Sequence, residues 1–590
     1  MTRQLTGRGA APGVALAPAF VLETDAAGSP PPETRSNSAE DELARLHQAL
    51  RTAESQLREL AETVAETVGE ADAEIFEAHA EFAADPELAS IAGEAIREGA
   101  SAERAAIDAF DQFRELLLAS SSEYLSARAE DLVDVRDRVV AILQGREVVV
   151  AAPEQRSIIV ARELTPSQTA GLPRPLIAAL VTETGSPTSH AAILARSLGI
   201  PAVVACEGLL DAVASAGDGD VDLAVDGRRG EVVVAPDDDV RATIEQRLAE
   251  EEQRRAELEA LRDREGRTAD GHRVELAANI GSPEDLPAAV EAGAEGSGLV
   301  RTEFLFQDRR TAPTVDDQVG FYLEVLRAFP GQRVVFRTMD VGADKPLPFV
   351  DRDPEDNPAL GLRGIRLHLA RPELLRDQLR ALLRAGATAA QEDAGRLAIM
   401  FPLVATSAEL EAAREHLAAV ATEDGVDAGQ FEVGVMVEVP SAALGAARLA
   451  RQADFLSIGT NDLLQYLFAV DRLHGGVADL ADPLEPDALA LMASVIEAGH
   501  ANGAWVGVCG EAASDPTIAA ALVGLGVDEL SMTRVAIPEV KDTLARLERG
   551  VCERAVRAAL DEGHDGATVR AVLDRELDRE LDRELDLGSN

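Results

Sequence analysis

Residues 184–196 read T-G-S-P-T-S-H-A-A-I-L-A-R, and the rest of the chain is organised around this stretch. Glycine, serine and proline near its start predict a turn, and the small and aliphatic residues through Leu198 predict a short helix. His190 falls in the first turn, where unpaired backbone N–H groups and the positive end of the helix dipole favour an anion. A neutral imidazole there can attack phosphorus and carry a phosphoryl group. A histidine at a helix start can equally cap the helix or pack.

Short apolar runs around this stretch predict the strands of an α/β domain. They lie at residues 147–150, 157–160, 178–181, 202–205 and 231–234. We expect the strands before residue 24 to return to the same sheet, so residues 1–24 and 146–236 form one domain with His190 on a strand-to-helix loop. The Thr169 hydroxyl could orient the imidazole, or Thr169 could serve as an N-cap.

Residues 38–144 carry apolar side chains at three- and four-residue spacing, which is typical of amphipathic helices. We therefore expect residues 25–145 to form a helical bundle inserted into the α/β domain. The bundle is either a structural spacer or a groove for a partner protein. Residues 237–266 are rich in glutamate and arginine and predict a solvated connecting helix.

The second half of the chain alternates eight apolar runs with helical patterns. The runs lie at residues 273–280, 298–300, 333–338, 398–404, 434–439, 455–458, 506–508 and 529–531. Eight such repeats predict a (β/α)₈ barrel over residues 267–550, so the fold class is multidomain α/β. Residues 551–590 predict a charged helical tail. The leucines of its Leu-Asp-Arg-Glu repeat are four residues apart, which does not match the 3.6-residue turn of a helix, so they do not stay on one face. We therefore expect a solvated, dispensable extension.

Polar residues follow several predicted barrel strands, at the end where barrel enzymes place their chemistry. Converging arginines suit a multivalent anion such as phosphate, two carboxylates beside it suit Mg²⁺, and an amide can bind a phosphate oxygen. Alternatively, the arginines form ion pairs at the barrel end and the cysteine is a small buried apolar residue. The candidates are Arg301, Arg337, Arg472, Glu438, Asp462, Asn461 and Cys509.

The composition excludes several classes of function. The formal net charge is −49, and Lys345 and Lys541 are the only lysines, so nucleic acids and anionic membranes are repelled. Such an acidic surface suggests a cytosol of high salt. Three scattered cysteines cannot form a disulfide framework or a metal cage, and no apolar run approaches a membrane span. We expect a soluble cytoplasmic protein without membrane insertion.

Two sets of motifs resemble the PEP-utilising enzymes, the family of Enzyme I of the phosphotransferase system, PEP synthase and pyruvate phosphate dikinase. The first is T-x-x-G-x-x-T-S-H-x-A-I-x-A-R-x-x-G-I-P-A-V around His190, in which Ser186 replaces a usual glycine. The second, across residues 273–540, is R-T-E-F-L-F, R-T-M-D-x-G-x-D-K, N-P-A-L-G-L-R, M-F-P, M-V-E-x-P, S-I-G-T-N-D-L, A-x-D-R and C-G-E. The sequence departs from the usual family motif at Val300, Ala343 and Leu464, and none of these three differences removes a charged residue.

The resemblance implies a role for each site residue. His190 would carry the phosphoryl group, and Cys509 would protonate the carbon of the enolate. The phosphoryl group of PEP would be bound by Arg301, Arg337, Asn461 and Arg472, with Asp462 nearby. Glu438 and Asp462 would hold Mg²⁺, and Arg363 and Lys345 would play supporting parts.

The chain before the His190 domain is mostly helical and lacks a glycine-rich nucleotide loop, unlike PEP synthase and the dikinase. The strings I-F-E-A-H (75–79), D-P-E-L (85–88) and R-A-E-D-L-V-D-V-R-D (128–137) resemble the helical domain with which Enzyme I docks HPr. The resemblance to Enzyme I therefore implies transfer from PEP to His190 and on to a histidine of HPr, releasing pyruvate, as the first step of sugar uptake.

This resemblance further implies a homodimer through the barrel. The His190 domain would swing between the barrel and the bundle. Two alternatives stay open. One is a PEP-synthase-like phosphotransferase with a different donor or acceptor. The other is a regulatory phosphoprotein that senses PEP.

Overall fold

The structure is a computed structural model that divides into two compact units, Met1–Arg254 and Arg255–Asn590. It describes residues 2–22, 33–35, 37–67, 70–118, 131–146, 152–186, 189, 192, 195–196, 199–217, 221–307, 309–341, 347, 349–350, 355–472, 474 and 476–588. Within these ranges every helix is too short or too polar to span a bilayer.

An eight-stranded sheet forms the centre of the first unit. Hydrogen bonds order its strands β1-β8-β7-β3-β4-β5-β6-β2, with β3 to β6 parallel and the other neighbours antiparallel. The strands are β1 (Arg3–Thr6), β2 (Arg8–Ala11), β3 (Val14–Val21), β4 (Ser157–Ala161), β5 (Ile177–Thr182), β6 (Ala202–Val204), β7 (Asp222–Asp226) and β8 (Glu231–Val234). Because β1 to β3 precede the helical segment and β4 to β8 follow it, the predicted α/β domain with an inserted bundle is confirmed.

The central strands β4 and β5 are buried along their whole length. Ile158 and Val160 enter the apolar core on one face of the sheet, while Ile159 enters the core on the other. A strand that is covered on both faces is apolar at nearly every position. This burial explains why the two strands appear in the sequence as continuous apolar runs.

Most of the strands predicted for this domain occur close to their predicted positions, as β4, β5, β6 and β8. Strand β7 is absent from the prediction, because its short apolar run is bounded by aspartates. The strand predicted at residues 147–150 lies outside the described residues. So do His190 and much of the helix predicted to follow it.

Five helices of the inserted bundle lie within the described residues. They are α1 (Ala39–Thr67), α2 (Glu70–Ala84), α3 (Pro86–Glu98), α4 (Ala102–Leu118) and α5 (Asp131–Leu143). Apolar residues spaced three or four apart form its core, in which Leu57, Ile96, Phe110 and Val135 are almost fully buried. Packing of these apolar faces supplies most of the stability of such helices.

Local capping fixes several helix ends in this unit. The Asp85 side chain accepts a backbone N–H at the start of α3, and Gly99 ends α3 with a φ of 117°. Thr165 and Gln168 form a reciprocal capping box at the start of the next helix. Other helices with described bounds in this unit are α6 (Pro166–Gly171), the 3₁₀ turn Arg174–Leu176, α7 (Leu209–Ala216) and α8 (Asp238–Ala260). The predicted connecting helix is α8.

Eight parallel strands close into a barrel in the second unit. They are β9 (Glu275–Ile280), β10 (Gly296–Val300), β11 (Arg333–Arg337), β12 (Arg396–Phe401), β13 (Glu432–Val437), β14 (Phe455–Ile458), β15 (Trp505–Val508) and β16 (Glu529–Met532). Each corresponds to one of the eight predicted runs. The predicted (β/α)₈ barrel is confirmed.

Helices and short 3₁₀ turns surround this barrel. The helices are α9 (Asp285–Glu291), α10 (Val315–Ala328), α11 (Gly364–Ala370), α12 (Pro372–Gln391), α13 (Ser407–Asp424), α14 (Pro440–Leu444), α15 (Ala446–Ala450), α16 (Thr460–Leu467), α17 (Pro486–Ala501), α18 (Pro516–Leu525), α19 (Ile537–Arg546), α20 (Arg549–Glu562) and α21 (Gly566–Gly588). The 3₁₀ turns are Glu303–Leu305, Pro358–Leu360, Ala428–Gln430, Ala478–Leu480, Glu511–Ser514 and Arg534–Ala536.

The first residues of five barrel strands form a charged cluster, which we call the floor cluster: Arg333, Trp505, Glu275, Glu432 and Glu529. The Arg333 guanidinium lies 3.9 Å from the centre of the Trp505 ring. It also pairs with the three glutamates at 3.0 to 3.6 Å. Glu529 is only 1 % exposed. Burial, reinforced by repulsion from Glu275, raises the pKa of Glu529 to about 8.

The C-terminal helices α20 and α21 contribute to the barrel core. Val569, Leu573 and Leu577 are buried in the main apolar cluster, and Arg570 pairs with Asp515 at 3.0 Å. The expectation of a solvated, dispensable tail is therefore wrong for this stretch. A four-residue period drifts by only about 40° per repeat, so three successive positions still share one face of a helix.

Candidate active site

A cavity of about 740 Å³ opens at the C-terminal ends of the barrel strands. Loops that follow β10, β11, β13, β14 and β15 supply its polar lining, as expected for a barrel of this type. The polar residues are Arg301, Glu303, Arg337, Asp340, Arg363, Glu438, Thr460, Asn461, Asp462, Arg472, Cys509, Glu511 and Asp515. The cavity therefore brings together the seven strand-end candidates of the sequence analysis.

Arg337, the last residue of β11, is held by two carboxylates. Its Nη2 donates to Oε1 of Glu303 at 3.0 Å, and its Nη1 lies 3.5 Å from Oδ2 of Asp340. Burial on its own would lower the pKa of Arg337, but the attraction of Glu303 and Asp340 outweighs it and raises the pKa. The guanidinium is therefore a fixed, permanent positive charge.

Arg363 follows the 3₁₀ turn at Pro358–Leu360 and reaches the same carboxylate. Its Nη2 donates to Oδ2 of Asp340 at 2.7 Å and to Oδ2 of Asp462 at 3.3 Å, and its Nη1 donates to the Tyr466 hydroxyl at 3.2 Å. A planar guanidinium with several donors suits this bridging position better than a lysine would.

Arg301 and Arg472 are the more exposed arginines of the cavity. Arg301 directly follows β10, and its backbone N–H donates to the Ile280 carbonyl. The Arg472 side chain is 43 % exposed and lies 3.9 Å from Oδ1 of Asp462. These two side chains face solvent, whereas Arg337 and Arg363 are held by carboxylates. An anion entering the cavity meets both kinds of positive charge.

Three carboxylates converge deeper in the cavity, those of Asp340, Glu438 and Asp462. Each offers one oxygen within 4.8 Å of the others. Glu438 is 1 % exposed. Burial raises its pKa well above the usual range, with further repulsion from Asp462 and Asp340. Oδ1 of Asp462 is buried and accepts no hydrogen bond from any described residue. This arrangement fits a divalent cation, which would neutralise the repulsion and fill the vacant acceptor.

Asn461 and Glu511 form a reciprocal pair at the rim of the cavity. The Asn461 amide donates to Oε1 of Glu511 at 3.2 Å, and its Oδ1 accepts the backbone N–H of Glu511 at 3.1 Å. The amide of Asn461 is thus oriented at the mouth of the cavity. It can exchange this carboxylate for the oxygen of an anionic ligand.

Cys509 lies directly after β15, at the edge of the cavity. Its backbone N–H donates to the Ile458 carbonyl at 3.0 Å, and its thiol lies 3.7 Å from the same oxygen. The residue is buried, and burial raises the pKa of its thiol to about 12. At neutral pH the thiol therefore keeps its proton and can act as an acid.

Two predicted site residues, His190 and Lys345, lie outside the described residues. Near His190, the left-handed backbone falls on Gly185 (φ 103°) and not on Ser186, so the serine that replaces the usual glycine needs no such conformation. The Thr169 hydroxyl donates to the Thr165 carbonyl within α6. The N-cap of that helix is Thr165, so the N-cap alternative for Thr169 is wrong.

Five polar residues of the cavity have no role in the sequence-based prediction: Glu303, Asp340, Thr460, Glu511 and Asp515. The first four stand inside the quoted motifs, in R-T-E, R-T-M-D, I-G-T-N-D and C-G-E. Asp340 joins the three-carboxylate cluster and contacts both buried arginines. A carboxylate shortly after a strand-end arginine was the available signal, since buried guanidiniums need anionic partners.

Family models agree with this architecture. Residues 255–549 match the PEP-binding domain of PEP-utilising enzymes, residues 6–128 match their N-terminal domain, and residues 153–230 match their mobile domain. A closed parallel barrel with an arginine-rich and carboxylate-rich cavity, joined to these domains, defines a PEP-utilising enzyme.

Relatives named phosphoenolpyruvate-protein phosphotransferase align with nearly the whole chain. The one from Streptomyces coelicolor is 44 % identical over 98 % of this chain and 100 % of its own length. Those from Staphylococcus carnosus and Haloferax volcanii are 41 % and 42 % identical, over 95 % and 94 % of this chain and 98 % and 97 % of their own. The chain belongs to the phosphoenolpyruvate-protein phosphotransferase family.

Proposed function

We propose that the protein transfers the phosphoryl group of PEP to its own His190 and then to a histidine of an HPr phosphocarrier protein, releasing pyruvate. The observation that carries this proposal is the barrel cavity, which holds four arginines and a converging cluster of three of its carboxylates beside a protonated thiol. Few ligands other than a phosphorylated carboxylic acid with a bound cation satisfy both sets of charges.

The arginines bind the anionic substrate and stabilise its transferring group. Arg337 and Arg363 are held by carboxylates and need little rearrangement, while Arg301, Arg472 and Asn461 line the open part of the cavity. Preorganised positive charge of this kind stabilises the charge that develops on the equatorial oxygens of a phosphoryl group in transfer. His190 supplies the attacking nitrogen.

We assign Mg²⁺ as the cofactor, with Glu438 and Asp462 as its ligands and Asp340 beside them. When bound, it supplies Lewis-acid neutralisation of the phosphoryl oxygens. Arg337 and Arg363 both contact Asp340 and so offset part of the negative charge of the three carboxylates.

Cys509 completes the reaction as the acid. Loss of the phosphoryl group leaves the enolate of pyruvate, and the thiol gives its proton to the enolate carbon. A thiol with a pKa of about 12 is fully protonated at neutral pH, so it carries the proton that this step requires. The ketone formed is much more stable than the enol, and this drives transfer forward.

The helical bundle, α1 to α5, is the proposed docking surface for HPr, as its motifs suggest. We place the protein in the cytoplasm, because its three cysteines are buried free thiols, which persist in reducing compartments. We also propose a homodimer through the barrel, entry of sugars as the downstream process, and a working environment of high salt. The last follows from the net charge of −49, which salt must screen.

The test is incubation with Mg²⁺ and ³²P-labelled PEP in high salt. We expect base-stable, acid-labile label on the protein, and its passage to HPr. His190→Ala should take no label yet bind PEP normally, and His416→Ala, at a helix position on the barrel exterior, should label like the wild type. Label on His190→Ala would contradict the proposal. Label from ATP instead of PEP would support the PEP-synthase-like alternative.

A further inference from the structure

The carbonyl oxygen of Cys509 has a side chain as its partner. The amide of Asn279, near the end of β9, donates from Nδ2 to this oxygen at 3.1 Å. Strand β15 ends one residue earlier, and the last paired residues of β15 and β16 are Val508 and Leu530. Asn279 therefore reaches past β16 and extends the hydrogen bonding of β15 by one residue, at the residue that carries the thiol.

The orientation of this amide is fixed by Ser531, on β16. The Ser531 hydroxyl is fully buried and donates to Oδ1 of Asn279 at 2.7 Å. A backbone carbonyl can only accept, so the NH₂ end of the amide must face Cys509 and the oxygen must face the hydroxyl. The network thus has one arrangement that satisfies all three groups.

We propose that Asn279 and Ser531 are positioning residues for Cys509 in the protonation of the enolate, an inference that rests on the proposed acid role of this thiol. Asn279 is not among the residues that line the cavity, so it acts through Cys509. The Cys509 backbone is held from both sides, its N–H by Ile458 and its carbonyl by Asn279. Fixing both peptide groups fixes the Cα–Cβ bond from which the thiol projects, and the contact of Sγ with the Ile458 carbonyl at 3.7 Å favours one direction of the thiol.

The step that needs this direction is the transfer of one proton. An electron pair of the enolate oxygen forms the C=O double bond of pyruvate, and the π electrons of the C2=C3 double bond take the proton at C3. The S–H bond of Cys509 breaks and leaves a thiolate, which regains a proton from solvent. A planar enolate has two faces, and a rigidly held acid reaches only one of them.

The experiment follows the face of protonation. PEP stereospecifically labelled with tritium at C3 is converted in ²H₂O, and the configuration of the chiral methyl group of pyruvate is determined. We expect one configuration from the wild type and a mixture from Asn279→Asp, an isosteric change that points an oxygen at the carbonyl. Turnover should fall about 10- to 100-fold, as a small misplacement of a reacting group does, with KM for PEP within about twofold.

Two further variants separate the explanations. Ser297→Ala is the matched control, since this buried hydroxyl on β10 donates to the Ala278 carbonyl and does not touch Cys509. It should retain one configuration. Ser531→Ala leaves Asn279 in place but frees its amide to turn, and it should give a smaller loss of selectivity. This variant serves as the test if Asn279→Asp does not fold.

The outcomes distinguish this inference from the proposed function. If Asn279→Asp and Ser531→Ala both give one configuration at the wild-type rate, the positioning role is overturned. If Cys509→Ala also gives one configuration, the acid is another group, and the acid assignment fails. If Cys509→Ala and Asn279→Asp both give a mixture of configurations while Ser297→Ala gives one, the acid role of Cys509 and the positioning role of Asn279 are both supported.

Discussion

Replacing Glu529 of the floor cluster with glutamine should make the barrel less sensitive to alkaline pH. Glutamine has nearly the same shape as a protonated glutamate and carries no charge. In the folded protein the carboxyl is 1 % exposed, and Nη1 of Arg333 lies 3.6 Å from its Oε2. Its charged form must share Arg333 with two other glutamates. The wild-type protein therefore folds best with this residue protonated.

The magnitude follows from the pKa. The value is about 8 in the folded state against 4.5 for an ordinary glutamate, so the folded state holds a proton that the unfolded chain releases. A raised pKa stabilises the fold fully at acidic pH, and this contribution is lost as the pH rises toward 8. Between pH 6 and pH 9 the lost stability is about 3 kcal/mol, and Glu529→Gln should lose correspondingly less.

Trp505 provides the assay, because it is the single tryptophan of the chain and belongs to the floor cluster. Its fluorescence during urea unfolding measures the free energy of unfolding of the barrel at each pH. The matched control is Glu497→Gln, at an exposed position of α17. Its free energy of unfolding should depend on pH in the same way as that of the wild type. The reasoning would be refuted if the free energy of unfolding of Glu529→Gln differed from that of the wild type by the same amount at pH 6 and at pH 9.

Three further predictions concern the cavity and the tail. Asp340→Asn removes one of the three converging charges and should weaken Mn²⁺ binding about 10-fold or more, as measured by calorimetry. Glu511→Gln changes a carboxylate outside that cluster and should leave Mn²⁺ affinity unchanged. In a Cys206→Ser/Cys552→Ser background, the rate at which Cys509 is alkylated should keep rising about tenfold per pH unit beyond pH 10, because the pKa of its thiol is about 12. A rate that levelled off near pH 9 would contradict this. Leu573→Ala should lower the free energy of unfolding by about 2–5 kcal/mol, whereas Leu444→Ala, at an exposed leucine, should change it by less than about 0.5 kcal/mol.

The barrel and the inserted bundle could be predicted because each depends on local patterns. Strands β14 and β8 begin and end at the predicted residues, since their apolar runs are bounded by polar or turn residues on both sides. The arginines and carboxylates of the cavity could be found because parallel strands bring their ends to one rim. Predicting the barrel and the residues of its cavity requires only that each strand run from the floor cluster at one end of the barrel to the cavity at the other.

Features that depend on distant residues could not be predicted in this way. Nothing near Asn279 in the sequence indicates that its amide reaches Cys509, because the contact exists only once the barrel closes between β16 and β9. The same holds for Glu529, whose raised pKa arises from strand starts far apart in the chain. Burial of Leu573 likewise depends on a surface that the barrel helices supply.

The order of strands in the first unit has a consequence for synthesis of the chain. Strand β1 leaves the ribosome first, yet it pairs only with β8, from Arg3 opposite Val234 to Thr6 opposite Glu231. At translation rates of about 5–20 residues per second, this edge waits on the order of ten seconds or more for its partner. The bundle emerges within that interval and has its own core, so it can fold first. Its folding would bring β3 and β4 together and shorten the loop that the sheet must close.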